Sequence, residues 1–434
     1  MSSLPLTLTP ARSAIRTASW QLPAAICLLA LAVRVGYGLR TGSFASEPGG
    51  DDVLFVNIAW NLANGNGYSM NGQLPTAIRP PAYPLLLAAV FALVGKSVVA
   101  ARVVNMLLGA LVAPLIYLVG MRLFGRREAI IASLAAAVYP FWLDNGMRVL
   151  SDTMALFLVT LALLLITILD ERPHDRRLLM TTGAVLAIAT LTRSELLLLL
   201  PLLCVWGWLF YGRIGIAVRR LSLLFLPVLL ALGAWLARNY VVMDSVVMAS
   251  NMGQVLWGVY NDDTFTRDRL MGGWQPPEPR LVNAAEFTAG RLPADGLVLP
   301  EPEYNRRQLA WALAAVREHS DRLPRMVLAK LNRLFFSPGQ VQNVLRFPMI
   351  YCLCFGVLIL LAGGERRHLI IYVLLLSGIG SSLIFLADER LRMTTDMVIL
   401  LVASLGATEQ LAVLRRRVKE RSVVRAARTL GQLP

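Results

Sequence analysis

Charge is scarce in this chain, and what there is of it is lopsided. Only 16% of its 434 residues are Asp, Glu, Lys or Arg, against about 25% in a soluble domain. Lysine is nearly missing. Lys96, Lys330 and Lys419 are all there is, so arginine carries almost the whole formal charge of +15. In a soluble protein that excess would point to nucleic acid. Here the arginines fall in short loops between apolar runs and in a basic tail, which is the signature of membrane topology, and no nucleic-acid partner is expected. Histidine is limited to His174, His319 and His368, isolated in polar loops or at helix ends, which argues against a histidine-built metal site. The four cysteines, Cys27, Cys204, Cys352 and Cys354, sit in apolar runs without metal-ligand spacing and read as small hydrophobes. What abounds is hydrocarbon: 56% of residues are hydrophobic, and the mean hydropathy of +0.59 places the chain in the membrane class.

The apolar runs cover residues 20–39, 98–120, 129–149, 153–170, 178–192, 196–211, 221–240, 347–362, 369–387 and 396–413. A helix needs about 20 residues to cross the bilayer, fewer where the membrane thins. Ten spans put Arg12, Arg16, the Arg122–Arg127, Arg172–Arg177 and Arg213–Arg220 loops, Glu365-Arg366-Arg367 and the tail from Arg415 on one side, cytoplasmic by the positive-inside rule. Residues 82–95 are apolar but short and follow Pro80-Pro81, so they read as a helix lying at the outer interface. Residues 178–211 read as two short spans joined by Arg193-Ser194-Glu195, with one long helix as the alternative. Ser43-Phe44-Ala45 resembles a signal-peptide cleavage site, but Arg34 interrupts the apolar run and favours a retained helix. The expectation is an all-α polytopic membrane protein of about ten spans: a cytoplasmic N-terminus (1–19), a transmembrane module (20–240) with an outer loop (40–97), an extracytoplasmic α-rich subdomain (241–346), C-terminal helices (347–413) and a basic cytoplasmic tail (414–434). Within the subdomain, 303–319 and 323–336 have helical periodicity, with Trp311, Val316, Leu328, Leu331 and Phe335 as apolar anchors.

The outer side collects the unusual residues: Asp51-Asp52 and Arg79, then Arg148 and Asp152, Arg193 and Glu195, Arg238-Asn239, and Asp388-Glu389-Arg390-Leu391-Arg392. Ionisable side chains near a membrane are costly and tend to mark function. Their convergence on one face implies a site with anionic and cationic parts. Each also has a plain structural reading. Asp51 and Asp52 would cap a helix well. Arg79 would snorkel to headgroups. Arg148 and Asp152 are four apart and would pair on one helix face. Arg193 and Glu195 would turn the chain, while Arg238, Arg390 and Arg392 would anchor helix ends at the interface. Tyr68, Trp142 and Trp257 read as interface aromatics rather than sugar platforms.

Order and spacing narrow the choice. Asp51 is followed by Phe55 and Ala59, then by Asn61-Leu62-Ala63-Asn64-Gly65-Asn66-Gly67-Tyr68 and Arg79-Pro80-Pro81-Ala82-Tyr83-Pro84-Leu85. Next come Ala101-Arg102, Leu123-Phe124-Gly125-Arg126-Arg127 and Leu150-Ser151-Asp152, with weaker echoes at Trp235–Tyr240 and Glu389–Arg392. Together these resemble the polytopic GT-C glycosyltransferases of the protein-mannosyltransferase and aminoarabinose-transferase group. The resemblance implies transfer of a sugar from a polyprenyl-phosphate donor to a lipid, glycan or protein acceptor at the periplasmic face of a bacterial inner membrane. It implies Asp51 as the catalytic carboxylate and Arg79 at the donor phosphate. Asp52 stands where relatives often have Glu, and its role stays open. Arg238 and Arg390 are further candidates for the phosphate, with Asp152, Arg148, Arg193, Glu195, Arg392 and Tyr83 in support. Some relatives use a divalent cation, so Mg or Mn at Asp51 and Asp52 is compatible with the pattern, though no metal is required by it.

The chemistry suits these residue types. Glycosyl transfer passes through an oxocarbenium-like transition state, and the acceptor hydroxyl needs a base. A lipid phosphate leaves as an anion, so it needs cations rather than a second acid. Arginine stays charged and pairs with phosphate through a planar fork. The competing reading is a transporter or flippase for a lipid-linked glycan. That would place ionisable or helix-breaking residues near the midplane of several spans, whereas here most lie at helix ends.

Overall fold

The computed structural model describes residues 20–276, 281–283, 297–336 and 342–429. The N-terminal arginines Arg12 and Arg16 lie outside these. The first apolar run forms α1 (Gln21–Thr41). The loop after it leads into α2 (Asp51–Ala63) and α3 (Ala82–Val94), which pack on each other. At 13 residues, α3 is about 20 Å long, too short for a hydrocarbon core of about 30 Å. Then follow α4 (Val98–Leu123), α5 (Arg126–Ala137), α6 (Pro140–Gly146), α7 (Asp152–Glu171) and α8 (Arg176–Thr190). A 3-10 turn (Ser194–Leu198) runs into α9 (Leu199–Tyr211), and α10 (Ile214–Met243) follows. The chain thus divides at residues 191–193, in line with two helices rather than one over 178–211.

The run 129–149 is not one span. It breaks between α5 and α6, where Tyr139 is extended (φ −64°, ψ 112°), as a residue before proline prefers. The break leaves carbonyls at the end of α5. Arg34 Nη1 donates to Ala137 O (3.4 Å) and to Ala30 O (3.1 Å), so the arginine that interrupts the first apolar run answers the interruption in another.

Past α10 the polar segment forms α11 (Met252–Val259), α12 (Asp262–Thr266), the parallel strand pair β1 (Leu281–Asn283) and β2 (Leu297–Leu299), α13 (Glu301–Glu318) and α14 (Leu323–Phe335). Its core is Trp257, Phe265, Met271, Ala312, Ala315 and Met326, with Trp311 and Val316 packed alongside. Leu328 is exposed; the buried face of α14 is instead Met326, Lys330 and Leu334 at every fourth position. His319 is not isolated: it, Asp262 and Glu318 bring ligand atoms within 4.8 Å of one another on the surface of this subdomain.

The chain closes with α15 (Gln342–Gly363), α16 (Leu369–Ile384) and α17 (Glu389–Thr429). Among the described residues, seven helices are long and apolar enough to cross a membrane. The other expected spans are the broken one, α8 with its 15 residues, and the short apolar part of α15, Pro348–Gly363. The helices pack around α4, α7 and α17. Small residues let backbones approach, as membrane bundles require: a Cβ at Gly183 would lie 1.9 Å from Leu224 O, and one at Gly406 2.0 Å from Cys352 O. Tyr68 and Trp142 are buried within the protein, and Trp257 is buried in the core of the polar subdomain.

Polar residues gather at the two ends of the bundle. At one end Arg122 pairs with Glu171 (2.7 Å) and Arg367 with Glu365 (2.5 Å). The other end carries the site.

Candidate active site

Three acidic residues open three helices. Asp51 is the first residue of α2, Asp152 the first of α7, and Glu195 lies in the 3-10 turn ahead of α9. Helix N-termini favour negative charge. Gly50, at φ 56°, occupies the cap position of α2, so Asp51 and Asp52 are not its caps. The turn into Asp51 uses a backbone angle that favours glycine.

Arginines tie these carboxylates together. Arg79 Nη2 lies 2.8 Å from Asp51 Oδ1, and Arg390 Nη1 lies 3.2 Å from Asp51 Oδ2. The other nitrogen of Arg390, Nη2, reaches Asp152 Oδ2 at 3.3 Å. Arg193 completes the set, giving Nη1 to Asp152 Oδ1 and Nε to Glu195. Each oxygen of Asp51 and of Asp152 therefore faces a guanidinium N–H. Asp152 is fully buried and Asp51 partly exposed. The charge of Arg79, helped by Arg390, holds the Asp51 carboxyl well below the usual carboxylate range despite its burial. Asp51, Arg79, Arg193, Glu195 and Arg390 line a cavity of about 160 Å³ together with Phe55, Ser151, Thr192, Asn251 and Asp388, with Asp152 buried behind them.

Asp52 points elsewhere. Its Oδ2 accepts from Val149 N (3.2 Å) and its Oδ1 lies 3.5 Å from Arg148 Nη2. Asn105 Nδ2 donates to Arg148 O (2.7 Å) and Leu150 O (3.1 Å). Asp52 and Asn105 thus grip the 148–150 backbone that delivers Asp152. Arg148 pairs with Asp52 rather than with Asp152 four residues on. The carboxylates of Asp51 and Asp52 serve separate networks, and both Asp51 oxygens already face arginine. A divalent cation shared by Asp51 and Asp52 does not fit that arrangement.

The remaining expected residues lie outside the cavity lining. Arg238 donates to Thr76 O (2.8 Å) and Tyr68 O (3.2 Å) and stacks on the rings of Tyr68 and Trp235, so it holds the loop that carries Arg79. Arg392 gives Nε to Asp396 Oδ1 (2.6 Å) and Nη1 to Leu334 O. It borders a separate apolar cavity of about 370 Å³ among α15, α16 and α17. Tyr83 is buried edge-on against Phe55 (5.1 Å) and supports α2 from behind. Asn251 escaped sequence reading. With its amide oxygen toward Arg79 it accepts Nη1 at 2.5 Å and gives its NH₂ to Ile78 O at 3.3 Å. Nothing in its loop sequence singled it out.

Residues 78–237 match the model of a family described as dolichyl-phosphate-mannose-protein mannosyltransferase. The matched stretch includes Arg79, Asp152, Arg193 and Glu195. The apo oligosaccharyltransferase of Archaeoglobus fulgidus is similar over 94% of this chain and 52% of that one, with a TM-score of 0.58 and 12% identity. The fold is GT-C. The same archaeal enzyme in complex with an inhibitory peptide and a dolichol-phosphate gives a TM-score of 0.53 at 12% identity, over 94% of this chain and 52% of that one. ArnT from Cupriavidus metallidurans, bound to undecaprenyl phosphate, gives 0.41 at 15% identity, over 90% of this chain and 78% of that one. The chain spans about half the length of the archaeal oligosaccharyltransferase it resembles. A search of curated proteins gave no match. Its apolar helices mark the chain as a multi-pass membrane protein.

Proposed function

We propose that the chain transfers a glycosyl group from a polyprenyl-phosphate-linked donor to an acceptor hydroxyl, with the site facing the periplasm of a bacterial inner membrane. One observation carries this reading: Asp51 is clasped between Arg79 and Arg390 at the mouth of a cavity, at one end of an apolar GT-C bundle. The dolichol-phosphate held by the archaeal enzyme supports the class of donor.

The donor phosphodiester enters between Arg79 and Arg390 and replaces Asp51 as their partner. Drawing the guanidinium groups away raises the basicity of Asp51. The carboxylate then takes the proton of the acceptor hydroxyl as the acceptor oxygen bonds to the anomeric carbon. The bond from that carbon to the phosphate oxygen breaks, and its electron pair leaves on the polyprenyl phosphate. Arg79 and Arg390 hold the phosphate charge through planar, charge-assisted hydrogen bonds. Arg193 stays with Asp152 and Glu195 and keeps Arg390 bridged to α7. The acceptor belongs to the lipid, glycan or protein class. No step runs through a metal.

The test is transfer from polyprenyl-phosphate sugars by membranes carrying Asp51→Asn at normal protein level. Loss of about 10²–10⁴-fold is expected for a missing general base. Full activity in the variant would falsify the role of Asp51.

A further inference from the structure

A second carboxylate, far from the cavity lining in sequence and type of contact, governs how Arg79 is presented. Glu301 is the first residue of α13 and is buried. Its Oε2 accepts from Thr76 Oγ1 (2.7 Å) and Asn283 Nδ2 (3.5 Å). Its Oε1 accepts from Ala77 N (2.6 Å) and from Ser250 Oγ. Three of these four donors come from two separate backbone segments, 76–77 and 250, which are themselves joined by Ser250 N donating to Ala77 O (2.9 Å). Each segment ends on a cavity residue. Two residues past Ala77 stands Arg79, and one past Ser250 stands Asn251. Those two then meet, Asn251 holding Nη1 of Arg79 while Asp51 holds Nη2.

A buried carboxylate is costly unless its lone pairs are filled. Glu301 fills them with hydroxyl, amide and backbone donors and sits at a helix N-terminus, where negative charge is favoured. Beyond fastening the subdomain, Glu301 fixes both segments that aim the guanidinium and its amide partner. We infer that Glu301 is a positioning residue for the donor phosphate: it sets the reach and angle of Arg79 without touching the ligand. The inference rests on the reading of Arg79 as a phosphate contact.

The experiment is binding of undecaprenyl phosphate to the purified full-length protein, for wild type, Glu301→Gln, Arg79→Ala and the double variant, each shown to be folded by a cooperative thermal transition. Glu301→Gln puts an NH₂ where oxygen accepted, and weakens binding about tenfold if it misaims one charge-assisted phosphate contact. In the Arg79→Ala background the same change costs less than twofold, because residues acting through one partner are not additive. In turnover the donor KM rises while the acceptor KM is unchanged. Equal losses in both backgrounds, or binding unchanged by Glu301→Gln in folded protein, overturn the inference. Absence of binding by wild type overturns the donor reading, and this inference with it. Should Glu301→Gln not fold, the double substitution Thr76→Val with Ser250→Ala removes two of the donors and is held to the same non-additivity.

Discussion

Arg390 and Asp51 are 339 positions apart in the chain, yet Nη1 of one lies 3.2 Å from Oδ2 of the other. The pair ties the start of α2 to the start of α17, since α2 begins at Asp51 and α17 at Glu389. On the proposed function, it also means that the donor phosphate must compete with a carboxylate for its cations. Asp51→Asn removes the competitor. The variant is expected to lose transfer and, at the same time, to bind undecaprenyl phosphate several-fold more tightly than wild type. Equilibrium binding beside a transfer assay reads both, and weaker binding by the variant would sink the exchange of partners proposed for the donor.

Arg390 uses its two terminal nitrogens on two different helices, Nη1 for Asp51 and Nη2 for Asp152. Lysine keeps the charge but offers a single point, not a fork. Arg390→Lys should therefore lower kcat by about 10²-fold, the scale of losing one preorganised donor, while protein level stays near normal. Activity near that of wild type would show that charge alone suffices there.

The oxygens of Asp51 and Asp152 are each met by arginine, leaving the carboxylate pair of Asp51 and Asp52 without a shared focus for a cation. Transfer should persist after treatment with EDTA and dialysis, and added magnesium or manganese should restore nothing. A chelator-sensitive rate that magnesium or manganese rescues would return a metal to the mechanism.

Lys330 is a buried amine whose Nζ donates to Tyr260 Oη (2.7 Å), Leu383 O (2.8 Å) and Phe385 O (2.7 Å). It satisfies carbonyls at the end of α16, just ahead of Leu386, Asp388 and Arg390, which line the cavity. Burial pulls its pKa from 10.5 down to about 7. Between those values the unfolded chain holds a proton that the folded chain does not, so stability rises with pH across that window. Thermal transitions of wild type should move upward from neutral to mildly alkaline pH relative to Lys330→Met. A difference between the two that ignores pH would leave the amine without a titration in that range.

Where a charge stood alone in an apolar frame, the sequence was easy to read. Asp51, Arg79, Asp152, Arg193, Glu195 and Arg390 stood out because each sits at the edge of a hydrophobic run, and the fold brings them into one network. The same criterion takes in Arg238, Arg392 and Arg148, since a guanidinium serves a carbonyl or a carboxylate away from the cavity as readily as one beside it, and sequence does not say which it will meet. The break ahead of Pro140 was present in the residue types, but continuous hydropathy across 129–149 masked it. Asn251, Glu301 and Lys330 were invisible for the opposite reason. They lie in the polar stretch 241–346, where one more polar residue carries no contrast, and their meaning comes only from what packs over them. Glu301 offered one faint signal, an acid opening a helix directly after Pro300.

The last helix has a mechanical implication. It runs from Glu389 to Thr429 without interruption, 41 residues, or about 60 Å of rod, twice the hydrocarbon thickness of about 30 Å. Its first turn holds Arg390, and its far end carries the arginine-rich tail. Gly406 lets it touch the backbone of α15 with no side chain between them, which leaves little room to bend. One continuous strut therefore carries, at its two ends, the guanidinium that meets Asp51 and Asp152 and the arginine-rich tail, so that the two ends cannot shift independently while the helix stays whole.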